Sequence, residues 1–244
     1  MRIVISQSML FPWVGLLDQV RHADVFVHYD DVQFSKGSFV NRVQIKTPQG
    51  MRWMTVPLKD LRLGQRIQEV QVAPIEQWRG QHLDMLRRSF SGAPHANEAL
   101  QLAECVYDSQ PDNIGALARR SMRALVDYFG IGASTRFVDV QDLDVPGSGS
   151  DRVLAVVTRL GGDTYVTGHG AARYLDHDGF EAQGVDVQYM HYRCQPYPQA
   201  HGAFTPYVSA LDLVAHCGRD GLTRMCSGTV GWRDHLALAS IPGN

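Results

Sequence analysis

The first 29 residues carry the pattern that most restricts the fold of this chain. The segments "RIVIS" and "DVFVHY" are apolar runs of strand length, and "WVGLLDQVRHA" between them repeats apolar residues at helical spacing, with a proline near its start. A strand, a helix and a second strand within about 30 residues predict a right-handed crossover between two parallel strands. The loops "SQSMLFP" and "DDVQFSKG", which follow the two strands, are then expected side by side at the carboxyl edge of the sheet, where open α/β sheets usually bind their ligands.

The rest of the chain extends this α/β pattern. The segments "FVNRVQIK" and "MRWMTVPL" alternate around the turn signal "TPQG" and predict a β-hairpin, and "RIQEVQVA" is a candidate extension of that antiparallel patch. Helices are expected at 75–90, at about 95–107 and at about 112–129. Further strands are predicted in "TRFVDV", "TYVTG" and "VDVQYMHY", and further helices in "GSGSDRVLAVVTRLGG" and "VSALDLVAHCG". The sequence therefore predicts an α/β fold with a Rossmann-like, mostly parallel sheet, an antiparallel hairpin and a helical insertion at about 75–130, all in one domain over 1–244.

Composition limits the classes of function. With 23 basic against 25 acidic residues and a net charge of -2, the whole chain supplies no field that would gather nucleic acid or an anionic membrane. The first apolar run is too short for a signal peptide or a membrane span. The four cysteines stand alone, without a C-x-x-C pair, as is typical of reduced thiols in a cytoplasm. We expect a cytoplasmic protein that binds a small molecule and has no structural metal.

The stretch "YDDVQFSKGSFVNR" supplies the first candidate site residues. Asp30 and Asp31 directly follow the second strand. One aspartate commonly closes a turn there, whereas a second carboxylate is available to hold a ligand amine, a ribose hydroxyl or Mg²⁺, or to act as a general base. Asn41 and Arg42 point to opposite faces of a strand, so at most one of them faces a given cleft. Arg42 is the better candidate because its guanidinium suits a carboxylate or a phosphate; the alternative is a salt bridge to Asp31.

The stretch "TGHGAARYLD" supplies the second group. Gly168 and Gly170 flank His169 and allow a ligand to approach the backbone, and the helical turn that follows directs N–H groups towards an anion or an oxyanion. His169 titrates near neutrality in its unperturbed state and is a candidate acid or base. A cysteine nucleophile is disfavoured, because free cysteine is most often a small buried hydrophobic residue.

Several motifs together resemble the WbqC-like protein family of bacteria: "ISQSMLFPWVG", "YDDVQFSKGSFVNR", "WMTVPL", "GGDTYVTGHGAARYLD" and "YPQAHGAFTPYVSALDLVAHCG". The resemblance runs from residue 3 to about 218 and departs at Ser8, where family members have proline. It implies a role in clusters for O-antigen, other surface glycans or natural products, where attachment of an acyl or aminoacyl group to an amino sugar is the suggested chemistry. With the motifs above, it implies ligand-binding positions at Gln7, Trp13, Gln33, Asn41, Arg42, Gly168, Gly170, Tyr174, Tyr197 and Gln199.

The sequence and the resemblance together predict an amide-forming acyl or aminoacyl transferase of surface-glycan or natural-product biosynthesis. Asp31 or Asp30 would take the proton of the amine, and the donor would be a thioester of CoA or of an acyl carrier protein. Two alternatives stay open: an ATP-dependent ligase or nucleotidyltransferase-like enzyme, and a non-catalytic binding or scaffolding protein. ATP with Mg²⁺ ranks below a thioester because the chain has neither an H-x-G-H signature nor a P-loop. The "YDDVQFSKGSFVNR" segment is expected to line one wall of the cleft, and "TGHGAARYLD" with Tyr197 and Gln199 the other.

Overall fold

The computed structural model describes residues 1–239, which contain ten β-strands. One sheet has six strands, and two smaller sheets have two strands each. In chain order the strands are β1 (Arg2–Ser6), β2 (Val25–His28), β3 (Arg42–Thr47), β4 (Gly50–Thr55), β5 (Leu58–Lys59), β6 (Gln71–Val72), β7 (Arg136–Asp139), β8 (Thr164–Thr167), β9 (Asp186–His191) and β10 (Gly228–Gly231).

The same residues form eight α-helices, and short 3₁₀-helices lie between some of the elements. The α-helices are α1 (Val14–Arg21), α2 (Arg79–Ser89), α3 (Ala96–Asp108), α4 (Ile114–Phe129), α5 (Gly149–Arg159), α6 (His177–Ala182), α7 (Ala210–Cys217) and α8 (Trp232–Ala239). The 3₁₀-helices are Ile67–Glu69, Ile75–Gln77, Val140–Leu143, His169–Arg173 and Gly218–Arg224. Within residues 1–239, no helix has the length and apolar character needed to cross a membrane.

The large sheet confirms the predicted Rossmann-like architecture. Its strand order is β10-β9-β8-β1-β2-β7, in which the five strands from β9 to β7 are parallel and β10 is antiparallel at the edge. Numbered along the chain within this sheet, the order is 6-5-4-1-2-3, the arrangement of dinucleotide-binding sheets. The chain reverses its direction of travel across the sheet between β1 and β8. A crevice therefore opens beyond the carboxyl ends of these two strands.

Alternate residues of the central strands face opposite sides of the sheet, so both faces are buried. Val4 and Phe26 belong to the core cluster that also includes residues of α1, α3, α4 and α7. Ile3 and Val27 belong to the second cluster, with residues of α5 and α6. Because both faces are buried, β1 and β2 consist of nearly continuous apolar residues in the sequence.

The predicted β-hairpin is present, but its expected extension is only partial. β3 and β4 pair antiparallel from Arg42 opposite Thr55 to Thr47 opposite Gly50. Residues Ile67–Glu69 form a 3₁₀-helix instead of a strand, since the Ile67 N–H donates to the Val32 carbonyl and the Ile67 side chain is fully buried. The short β6 that follows pairs with β5 and not with the hairpin.

Three helices, α2 to α4, occupy the predicted helical stretch between β6 and β7. α4 begins after Asn113, whose side-chain oxygen accepts from the Ala116 N–H at 2.8 Å, and ends at Gly130, which has the left-handed φ of 65°. Beyond α7, where the sequence patterns predict no element, the structure adds β10 and α8. β10 reads "GTVG", which is too short and too rich in glycine to give a strand signal.

The close packing of α5 and β1 generates a stability prediction. A Cβ atom added at Gly162 would lie 2.4 Å from Ile3 Cγ1 and 3.0 Å from Val157 Cγ1, both in the core. We expect Gly162→Ala to lower the free energy of unfolding by about 1–3 kcal/mol through overpacking. The matched control is Gly80→Ala in α2, where a Cβ meets nothing within 4 Å and alanine favours the helix. Urea unfolding of both variants checks this, and equal stabilities would contradict it.

Candidate functional site

A cavity of about 1360 Å³ lies at the carboxyl edge of the large sheet, at the crevice between β1 and β8. Its walls come from the loops that follow four parallel strands. Gln7 follows β1, Asp31 follows β2, Ser148 lies between β7 and α5, and Gly168 follows β8. The sequence indicated this edge and the loops after β1, β2 and β8, but it did not indicate the loop between β7 and α5.

The buried Asp30 carboxylate connects the loop after β1 to α4 beneath the cavity. Its Oδ1 accepts from the Ser8 N–H at 2.9 Å, and its Oδ2 accepts from Ser8 Oγ at 2.7 Å and from Arg119 Nε at 2.6 Å. Arg119 also contacts Asp139 at 2.5 Å, at the end of β7. Asp30 was a candidate catalytic residue, but it is fully buried and does not line the cavity. The structure therefore assigns it to holding the loops in place. A proline at position 8 would supply neither the N–H nor the hydroxyl of Ser8.

His28 extends this network at the end of β2. Its Nδ1 lies 3.0 Å from Ser8 Oγ, whose hydrogen is donated to Asp30, so the ring N–H donates to the serine oxygen. Burial, with the nearby Arg119 cation as the second cause, lowers the pKa of His28 from 6.5 to about 4. The imidazole is therefore neutral at pH 7.

Asp31 faces the cavity, and Arg152 of α5 holds it there. Arg152 Nη1 and Nη2 donate to the two carboxylate oxygens at 2.9 Å and 2.5 Å. Arg152 Nε donates to the Val145 carbonyl at 2.9 Å, and its guanidinium lies over the ring of Tyr29. This two-point contact fixes the orientation of the carboxylate. The sequence left a salt bridge between Arg42 and Asp31 as an alternative. That alternative is wrong, because Arg152 is the arginine that pairs with Asp31.

Neutral hydrogen-bonding groups supply much of the remaining polar lining. Burial raises the pKa values of the Tyr29 and Tyr174 phenols, which are protonated donors at neutral pH. The amides of Gln68 and Gln141 hydrogen-bond to each other where both line the cavity. A surface of phenols and amides suits hydroxyl groups and amide groups of a ligand. Among residues 1–239, no group of three or more His, Cys, Asp or Glu side chains could hold a metal ion.

The structure brings together part of the predicted site. The cavity lining includes, from the predicted set, Gln7, Asp31, Gln33, Gly168, Gly170 and Tyr174. These residues come from the loops after β1, β2 and β8, so the two quoted stretches each contribute to the walls.

The predicted pair Asn41 and Arg42 lies outside the cavity lining. Asn41 is buried, and its Nδ2 donates to the Val56 carbonyl at 3.0 Å, beside the start of the hairpin. The Arg42 guanidinium lies 4.1 Å above the ring of Trp53 on the hairpin surface. Asn41 and Arg42 lie at the start of the hairpin strand β3, and the chain has already left the cavity lining at that point.

Tyr197, Gln199 and Trp13 are also placed elsewhere, so the expected second wall is corrected. Tyr197 Oη donates to Asp212 Oδ1 at 2.8 Å, and Gln199 Nε2 donates to the same oxygen at 2.8 Å. These contacts form a partly buried network on the amino-terminal side of α7. Trp13 packs between Tyr192 and Tyr207, with ring centroids at 4.7 Å and 5.9 Å. Only Tyr192 of this aromatic group lines the cavity.

His169, the third candidate catalytic residue, does not line the cavity although both of its neighbours do. Its Nε2 lies 2.7 Å from the Met190 carbonyl, so that nitrogen carries the hydrogen and donates it. Its ring packs against His235 of α8 and against Tyr192. The backbone at Gly168 and Gly170, and not the imidazole between them, faces the site.

Sequence reasoning missed the two arginines that organise the site. Arg152 is separated from Asp31 by 121 residues, and Arg119 is separated from Asp30 by 89 residues. One signal was available, since Arg152 lies in the first turn of a helix that follows a glycine-serine loop, a place where ligand-facing groups are common. Arg119 lies on α4, for which the sequence predicts a helix but no site residue.

Comparisons with known proteins complete this description. A model of the WbqC-like protein family matches residues 7–224. "Uncharacterized protein Rv1507c" of Mycobacterium tuberculosis is 32% identical over 222 residues, which cover 90% of this chain and 95% of that protein. A "Biotin synthase" of Ruegeria pomeroyi is 32% identical over 143 residues, which cover 55% of this chain and 42% of that protein. The match thus spans less than half of the biotin synthase. No solved structure was found to match.

The buried Asp30 network predicts a large loss of stability when the carboxylate is removed. We expect Asp30→Ala to lower the free energy of unfolding by about 3–5 kcal/mol, because it leaves Arg119 Nε and the two Ser8 donors without their buried acceptor. The control is Asp84→Ala, which removes an exposed pair with Arg87 and should cost about 0.5 kcal/mol or less. Denaturant unfolding measures both changes. Similar losses of unfolding free energy in the two variants would show that the Asp30 network does not stabilise the protein more than an exposed ion pair does.

His28 predicts a pH dependence of stability. Its pKa is about 4 in the folded chain, against 6.5 for an unperturbed imidazole, so the unfolded chain binds more protons between these values. The free energy of unfolding should therefore fall as the pH is lowered from about 6.5 towards about 4. We expect His28→Gln to show a smaller fall over this interval, measured by urea unfolding at several pH values. An equal fall in the unfolding free energy of the wild type and of His28→Gln would show that His28 is not the source of the pH dependence.

Proposed function

The chain belongs to the WbqC-like protein family, and from that premise we propose that it is an acyl or aminoacyl transferase that forms an amide on an amino sugar or a related small amine. One observation carries the proposal. A carboxylate, Asp31, is held by Arg152 in a cavity at the switch point of a Rossmann-like sheet.

The size of the cavity supports a reaction between two substrates. Its volume of about 1360 Å³ exceeds the roughly 300–1,000 Å³ usual for one small ligand. In the proposed reaction an amino sugar and the thioester end of a donor occupy this space together. The phenols of Tyr29 and Tyr174 and the amides of Gln7, Gln33 and Gln68 supply the donors and acceptors that sugar hydroxyls need.

Asp31 is the residue we propose to receive the proton. The amine nitrogen attacks the thioester carbonyl, the C–N bond forms, and the C–S bond breaks to release the thiolate. The nitrogen loses a proton to Asp31, which passes it to the departing sulfur, so the products are an amide and a thiol.

Gly168 and Gly170 contribute backbone to the opposite part of the lining. No heavy atom lies within 4 Å of a Cβ built at Gly170, so the backbone there is open to a ligand. At Gly168 the Tyr192 hydroxyl lies 2.9 Å from such a Cβ, and glycine is needed to admit that phenol. In the proposed reaction the thioester carbonyl lies against this segment, within reach of N–H groups that stabilise an oxyanion.

A second candidate, an ATP-dependent ligase, is favoured by one specific feature. α5 is an 11-residue helix that begins at the cavity after Gly147 and Ser148, and a helix that starts in this way suits a phosphate group. In a transferase, the phosphate bound at the start of α5 would belong to a sugar nucleotide. In a ligase, it would belong to ATP. The two functions differ in whether product forms without ATP.

The proposal predicts that Asp31→Asn separates binding from turnover. Ligands are first identified by thermal shift with nucleotide-linked amino sugars, with acyl and aminoacyl pantetheine thioesters, and with Mg-ATP. A ligand at about 100 times its dissociation constant adds roughly 2.7 kcal/mol of stability. Mass spectrometry then measures amide product. We expect Asp31→Asn to retain acceptor binding within a few-fold and to lose turnover by about 10²–10⁴-fold, because the proton acceptor is gone.

The matched control is Asp142→Asn, an exposed aspartate outside the cavity lining, which should keep full turnover. Wild-type turnover in a folded Asp31→Asn protein would remove Asp31 from the mechanism. Product that forms only when ATP is present would establish the ligase. Ligand binding without product from any donor would establish the non-catalytic binding function.

A further inference from the structure

The segment from Gln33 to Arg66, here called the hairpin unit, carries a charge opposite to that of the rest of the chain. It has seven basic residues and one acidic residue, a net +6, whereas the whole chain has -2 and the remainder therefore -8. The basic residues are Lys36, Arg42, Lys46, Arg52, Lys59, Arg62 and Arg66. Among the ion pairs of residues 1–239, none includes any of these seven cations. Lys46 is buried against neutral acceptors, and the other six remain available to a partner.

The same unit exposes more large apolar side chains than the rest of the described chain. Five of the nine exposed large hydrophobic residues of residues 1–239 lie in it: Phe39, Met51, Trp53, Leu61 and Leu63. Leu63 is 97% exposed, at the tip of a loop. Aromatic residues, Met and Arg are the residue types enriched in protein–protein interfaces, and contiguous exposed apolar surface marks such interfaces.

Side-chain contacts join three of these residues, Phe39, Arg42 and Trp53, into one cluster on the hairpin. The Arg42 guanidinium lies 4.1 Å above the Trp53 ring, and the Phe39 and Trp53 rings lie 5.8 Å apart. A Cβ built at Gly37 would lie 3.2 Å from Arg42 Nη2, so the loop that carries Lys36 also borders this cluster. The Arg42 cation therefore lies directly against exposed aromatic rings within the hairpin unit.

The hairpin unit begins and ends at the cavity. The Phe34 N–H donates to the Gln65 carbonyl at 2.8 Å, and the Ile67 N–H donates to the Val32 carbonyl at 3.0 Å, which closes the neck of the unit. Gln33 and Arg66, on either side of this neck, both line the cavity. A partner on the hairpin unit is therefore placed next to the opening that leads to Asp31.

We propose that the hairpin unit is the docking surface of an acidic protein domain that carries the acyl or aminoacyl group as a thioester on a flexible arm. This inference rests on the proposed transferase function and names the form in which the donor arrives. The cations attract an acidic domain, the apolar side chains form the centre of the contact, and the arm enters the cavity past Gln33 and Arg66. Free CoA needs no such surface, and a nucleic acid has no apolar face to cover Leu63 and Met51.

The test uses the whole chain and, as probe, the acidic acyl carrier protein of fatty acid synthesis in its phosphopantetheine-bearing form. We expect saturable binding that weakens as ionic strength rises. The double variant Arg52→Glu, Arg62→Glu should lower the association constant by about tenfold, because like charges replace attraction at the interface. Leu63→Ser tests the apolar part, and it should also weaken binding without loss of stability. Neither arginine nor Leu63 lines the cavity.

The matched control is Arg120→Glu, a charge reversal at an exposed arginine of α4 that forms no ion pair within the described residues and lies outside the hairpin unit. It should leave binding unchanged. Equal binding by wild type and the double variant overturns the proposal, as does failure of the wild type to bind the carrier protein. Preferred binding of a DNA duplex or of phosphatidylglycerol vesicles, or self-association in sedimentation that uses the same arginines, also overturns it.

Turnover separates this inference from the proposed function. With a carrier-bound thioester as donor, the double variant should lose about tenfold in kcat/KM, and with a pantetheine thioester it should match the wild type. An equal loss with both donors contradicts docking at the hairpin unit. Charge-dependent binding of the carrier protein without product from either donor would keep the docking surface and refute the transferase.

Discussion

The arrangement of the whole site depends on one buried carboxylate. Asp30 accepts hydrogen bonds from Ser8 after β1 and from Arg119 of α4, and Arg119 reaches on to Asp139 at the end of β7. Three neighbouring parallel strands are thus tied together at their carboxyl ends. Because adjacent side chains of an extended segment point in opposite directions, anchoring Asp30 below the loops presents Asp31 to the cavity above them. Fully buried Asp30 therefore positions its neighbour Asp31, which lines the cavity.

Local sequence patterns were sufficient to predict the sheet, the edge on which the site lies and part of its lining. The strand, helix and strand pattern of the first 29 residues fixes a parallel pair, and a parallel pair fixes where the following loops go. The same patterns could not supply Arg152 or Arg119, since their contacts with Asp31 and Asp30 join residues far apart in the chain. Nor could they show that the hairpin turns Arg42 away from the cleft, because the direction of a hairpin depends on what it packs against.

The cavity and the hairpin unit divide two tasks that a transferase has to combine. The cavity offers phenols, amides and the Asp31 carboxylate paired with Arg152, which suit recognition of a small polar molecule. The hairpin unit offers unpaired cations and exposed apolar side chains, which suit a protein surface. The neck between Phe34 and Gln65 joins the two regions, so in the proposed reaction the donor and the acceptor meet at the same opening.

The contact between Asp31 and Arg152 also determines which ligands the cavity favours. The two groups neutralise each other, so no counter-ion is needed at that point of the cavity. A ligand with a single charge can replace only one partner and leaves the other unbalanced in a partly buried place, which is unfavourable. A ligand with both an ammonium and an anionic group can exchange with both partners at once. Exchange at this ion pair therefore favours a zwitterionic ligand over a ligand with a single charge.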